Sequence, residues 1–132
     1  AVVNITVETT LTYADHVGRI IEINDADGAV TLPSITAATI GAKYTFFVGT
    51  DASDLDIKTD GTDKFVGSVS VAGTTTKAFA PAASNDVISM NGGTTGGDAG
   101  SYVEATALAT AEYLVQGVLV GSGSVATPFA DS

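Results

Sequence analysis

The side chains in this chain best equipped for chemistry are aspartates gathered in three places: Asp25 and Asp27 beside Gly28, Asp54 with Asp56, and Asp60 with Asp63. A hard cation such as calcium collects several carboxylate and carbonyl oxygens from one loop. Asp25-Ala26-Asp27-Gly28 opens in that manner, but its glycine comes too early for a calcium loop and no terminal glutamate follows. Asp and Gly are equally the ordinary residues of tight turns, so turns are the expectation and no metal ligand is assigned. Glu8, Glu22, Glu104 and Glu112 all fall in strand-like sequence, where two carboxylates could act as the acid and base of a glycosidase. Their alternation with apolar residues is also what solvent-facing strand positions look like. His16 is the single histidine; any Ser-His-Asp arrangement would need it, and no Gly-x-Ser-x-Gly elbow occurs. It reads as a polar loop residue. The glycine-rich run Asn91–Gly100 lacks the Gly-Lys-Ser/Thr ending of a phosphate-binding loop, and no helix pattern follows it. It reads as a flexible connection between strands. The expectation is therefore no catalytic residue, no cofactor and no enzyme activity.

The elements that would carry these residues are strands. Asp27-Gly28 sits between Arg19–Ile23 and Ala29–Leu32, and Asp60-Gly61 sits between Leu55–Lys58 and Lys64–Val71. Asp-Gly between alternating apolar runs is a strong hairpin signal, so both steps are read as hairpins. The first segment alternates with Val3, Ile5, Val7, Thr9 and Leu11 on one side. It is a half-buried strand, or an extended arm (residues 1–12) that adds to another sheet. Ser34–Gly41 is the one plausible helical turn, with Gly41 closing it. Lys43–Val48 is the most aromatic strand, expected to be buried on both faces or at an interface. Ser101–Leu108 and Glu112–Val120 form the last pair. The whole reads as one all-β domain spanning residues 1–132, an antiparallel sandwich or barrel of about nine short strands. Ile21, Ile23, Phe46, Val48, Ile57, Val69, Val87, Val103 and Val115 are its expected core.

Composition narrows the function. At 132 residues the chain can bury a core without metal or disulfide support, and it has no cysteine, which removes disulfides and thiol chemistry. No apolar run is long enough to span a membrane. The opening residues lack the basic and apolar regions of a signal peptide, as a processed chain also would. Fifteen acidic residues against five basic ones give a net charge of -10. Nucleic-acid binding relies on lysine and arginine displacing counterions from phosphates, and the five cations here form no basic run. Neither nucleic acid nor membrane is an expected partner.

Three stretches carry a resemblance. Gly28-Ala29-Val30-Thr31-Leu32-Pro33 is followed by Gly41-Ala42-Lys43-Tyr44-Thr45-Phe46-Phe47-Val48-Gly49-Thr50. Asp86–Gly92 comes next, with Thr95-Gly96-Gly97, and then Gly121-Ser122-Gly123 with Ala126-Thr127-Pro128-Phe129. Over residues 28–129 the chain resembles small β-rich virion structural proteins of tailed bacteriophages. The resemblance implies a capsid decoration (cement) protein on the outer capsid surface, with the major capsid protein and further copies of itself, as a homotrimer, for partners. Similar Val-Thr-Leu-Pro segments occur in tail-fibre modules, which implies as the alternative a receptor- or carbohydrate-binding module of a phage tail. The apolar residues Val3, Ile5, Val7 and Leu11 of the first segment are the expected partner-binding set.

Overall fold

Alternating side chains give a strand one face for the core and one for solvent. The first half of this chain applies that rule three times, each time on two sheets in succession. The computed structural model describes residues 2–132; Ala1, the first residue of the 1–12 segment, lies outside the described residues. Strands β1 (Val3–Ile5), β3 (Ile20–Ile23) and β5 (Lys43–Val48) are parallel neighbours in one sheet. Strands β2 (Thr9–Thr10), β4 (Ala29–Thr31) and β6 (Leu55–Lys58) are parallel neighbours in the other. The chain thus winds as three coils, crossing between the sheets after each strand.

The second half completes both sheets. Strand β7 (Lys64–Ala72) lies parallel to β11 (Glu112–Val120), and β8 (Thr76–Phe79) folds back antiparallel on β7. Strand β9 (Val87–Met90) pairs antiparallel with β6, and β12 (Phe129–Ala130) with β9. Strand β10 (Asp98–Ala109) inserts antiparallel between β5 and β11. The result is a seven-stranded sheet in the order β1-β3-β5-β10-β11-β7-β8 and a five-stranded sheet in the order β12-β9-β6-β4-β2. Among the described residues helix is confined to the turn α1 (Tyr13–His16) and a 3-10 turn at Ala37–Thr39.

One core lies between the sheets. Cross-strand register aligns Val3, Ile21, Phe46, Val103, Val69 and Phe79 in one inward row of the larger sheet, interrupted by Gly117 on β11. Thr9, Val30, Ile57, Ile88 and Phe129 form the facing row of the smaller one. All nine residues expected in the core are buried. Tyr44 and Tyr113 meet edge-on at 6.4 Å, and Phe65 packs on Phe129 at 6.2 Å, arrangements that suit the aromatic quadrupole.

Several expectations need correction. The chain is mostly β, but its two sheets are mixed rather than antiparallel, they are not closed into a barrel, and among the described residues twelve strands replace about nine. Neither Asp-Gly step closes a hairpin: β3 and β4 lie in different sheets, and so do β6 and β7. Gly28 is not among the residues with positive φ, the conformation a tight hairpin would need there. Its lack of a side chain instead leaves room for Asp25, whose carboxylate oxygen would come within 2.0 Å of an added Cβ. The first segment is not one strand either, because Thr6–Glu8 carries it from the larger sheet to the smaller. His16 sits in α1 rather than in a loop. Of the two readings of Lys43–Val48, burial on both faces does not hold: one face is buried and Phe47 is 39% exposed on the other. The hairpin of β10 and β11 and the turn closed by Gly41, at φ +93, follow the expectation.

Candidate functional site

Each chemically equipped residue is held by the fold in a way that defines what it can do. Asp25 and Asp27 flank the crossing from β3 to β4, where the Ala26 carbonyl accepts hydrogen bonds from Ser53 and Asp54 of the next crossing at 2.8 and 3.0 Å. Successive crossings are thus stacked backbone on backbone. Asp56 lies on β6 in the outer face of the smaller sheet, with its Oδ1 buried and unpaired. Among the described residues no three histidine or carboxylate side chains converge as metal ligands.

Asp60 and Asp63 anchor loops. Asp60 accepts from the Ser34 hydroxyl at 2.6 Å and from the amides of Thr62 and Asp63. Burial alone would raise its pKa, but these hydrogen bonds outweigh it and hold the carboxyl below its usual value. Asp63 is buried and receives only the Ile35 amide; desolvation and the neighbouring Asp60 charge push it up. Tyr113 closes the same region by donating to the Pro33 carbonyl at 2.5 Å. Its hydroxyl pKa is raised by burial, by Tyr44 and by the two aspartates.

Sequence reasoning missed the most elaborate polar constellation. Asp86, only 1% exposed, accepts from Lys64 Nζ at 3.2 Å, from the Ser132 amide at 2.7 Å and from the Ser132 hydroxyl at 2.9 Å. Desolvation opposes its charge, but the bonds from Ser132 and Lys64 prevail and lower its pKa. This cluster fastens the segment after β12 to the body. No local signal marks it, because Lys64 and Ser132 lie 22 and 46 residues from Asp86.

The remaining candidates are likewise engaged. His16 Nδ1 accepts the Thr12 amide at 2.9 Å, so the ring caps its own turn. Glu104 is paired with Lys43 at 2.6 Å, and that bond lowers its pKa, the opposite of what a general acid needs. Glu8 lies between strands, and Glu22 accepts from Asn24. The glycine-rich run is packed rather than flexible. Asn91 Oδ1 binds the amides of Gly93 and Thr95, and Gly96 and Gly97 are buried. A Cβ at Gly96 would meet that of Leu119 at 2.4 Å. A groove of about 420 Å³ runs beside β7, lined by Phe65, Val66, Pro81 and Ala82; Lys64 and Glu112 are its charged residues.

What the molecule offers instead is surface, and its two outer faces differ. On the larger sheet the register sets Glu22, Phe47, Tyr102, Val118, Ser70 and Ala78 in one outward row. Tyr102 is 45% exposed, and Ile20, Leu108 and Val120 are exposed on the same sheet. The smaller sheet presents Thr10, Thr31 and Lys58 in one row and Ala29, Asp56 and Ser89 in the next. The residues expected to bind a partner divide. Ile5 and Leu11 lie in the core, Val3 packs against it, and Val7 is 66% exposed. No family model matches this chain, and no curated protein or solved structure is significantly similar to it.

Proposed function

We propose that this protein is a non-enzymatic structural component of a bacteriophage virion, a two-sheet sandwich that decorates and stabilises the outer capsid surface as a homotrimer. The observation that carries the reading is the contrast between a chain of net charge -10 and the nearly uncharged end of its first coil. There both sheets finish on edge strands, β1 and β2, each paired on one side only, and Glu8 is the one charged side chain between residues 2 and 12. Natural proteins guard sheet edges with lysine, proline or bulges. The opposite ends of the sheets carry Lys77 on β8 and Pro128 just before β12, whereas β1 and β2 carry neither device. An open, uncharged edge with Val2 and Val7 exposed suits attachment to the major capsid protein by strand addition. The acidic remainder suits an exterior position, where it keeps particles apart. Co-sedimentation with undecorated capsids tests this: Val7→Asp should leave the protein folded and abolish binding. Unchanged binding by that variant would remove the first coil from the attachment surface.

The exposure of Phe47 and Tyr102 favours a second reading, a receptor- or carbohydrate-binding module of a phage tail. Aromatic faces at a surface can stack on sugar rings. Glycan-array binding lost in Tyr102→Ala would establish this reading over decoration.

A further inference from the structure

We infer that the outer face of the seven-stranded sheet is a self-association surface, and that its occupant is another copy of this chain. The proposal deepens the oligomeric part of the preceding reading and rests on that part, not on the virion.

Three observations converge on this face. The first is apolar continuity. Phe47, Tyr102 and Val118 are cross-strand neighbours on β5, β10 and β11, and Val120 stands on the same face of β11, 36% exposed. Large exposed apolar patches on soluble chains mark interaction sites, and aromatic residues are enriched at them. The smaller sheet's outer face has no exposed large apolar residue, so the two sheet faces differ.

The second is charge. A chain at -10 repels its own copies, so association falls where charge is least. Along the row from Glu22 to Ala78 the single charge is Glu22 at one margin. In the neighbouring row Glu104 is neutralised by Lys43. No arginine or lysine stands free beside Tyr102 to receive an acidic partner, and no acidic cluster stands there to attract a basic one. The face matches its own composition.

The third is area. Seven strands about 4.8 Å apart, at about 3.3 Å per residue, give this sheet a footprint on the order of 750 Å². Stable interfaces take about 600–1,000 Å² from each partner, so one copy covering nearly the whole face reaches that range.

Light scattering coupled to size exclusion tests the inference on the isolated protein, with Tyr102→Lys, the milder Tyr102→Ser, and Ile40→Lys as a control. Ile40 is equally exposed but lies in the loop after the 3-10 turn. The expected result is a dimer or trimer that strengthens in high salt, dissociates in both Tyr102 variants and persists in Ile40→Lys. Circular dichroism of each variant confirms that it is folded. A wild-type monomer at all concentrations and salts overturns the proposal. So does an oligomer that survives both Tyr102 changes. An oligomer of the expected behaviour that fails to bind capsids leaves this surface standing and removes the decoration reading instead.

Discussion

Asp86 shows how much of this molecule's stability is held by a single buried charge. Its carboxylate joins Lys64 to Ser132 with almost no access to water, and removing it takes the shared acceptor from the part-exposed Lys64 ammonium and from the Ser132 amide and hydroxyl. Asp86→Ala should cost about 2–3 kcal/mol, read from urea unfolding midpoints. A loss below about 0.5 kcal/mol would equal an ordinary surface change and contradict this role. The pH dependence follows from the direction of the shift. The folded-state pKa of Asp86 is depressed, so its stabilisation is present above the unfolded value of about 3.9 and is lost as pH falls through the folded one. Asp63 works in the other direction: its raised pKa makes its charge a cost that is relieved as pH falls through that value. As pH falls through the folded-state value of Asp86, Asp86→Ala should therefore lose less stability than wild type. The acidic turns were legible in the sequence because Asp and Gly declare a bend locally. Asp86 was not, because its partners come from other strands.

Among the elements, the first coil separates side chains that look alike in sequence. Val3, Ile5, Val7 and Leu11 share one alternating pattern, yet Thr6–Glu8 crosses between sheets and leaves Ile5 and Leu11 buried with Val7 exposed. Ile5→Ala should cost about 2–5 kcal/mol, whereas Val7→Ala should stay within about 0.5 kcal/mol. Thermal unfolding of the pair decides it, and equal effects would contradict the crossing. The same ambiguity misled the reading of both Asp-Gly steps. Alternation and turn residues specify that strands exist and which face is buried: eight of the nine expected core residues lie in the core cluster, while Val87 is buried on the opposite face of its sheet, in register with Lys58. They do not specify whether a turn returns to the same sheet or crosses to the facing one. That choice is made by distant partners: β3 pairs with β5, and β4 with β6. The β10–β11 hairpin was legible because its partner is the next strand and only Thr110 and Ala111 intervene.

For the molecule as a whole, a charge of -10 and an outer sheet face carrying Phe47 and Tyr102 oppose one another. At 0.1 M, salt largely screens exposed charges more than about 10 Å apart and leaves apolar burial intact, so raising salt should strengthen self-association. Weakening by salt would mean that ion pairs hold the copies together. The charge was legible from composition, but the apolar row was not, because it exists only once β5, β10 and β11 are placed side by side. The proposed role, a decoration protein on the outside of a phage head, is tested most directly by copy number. Gel densitometry of purified virions, calibrated against the major capsid protein, should find hundreds of copies per particle; a few dozen or fewer would place the protein in a tail and contradict the account.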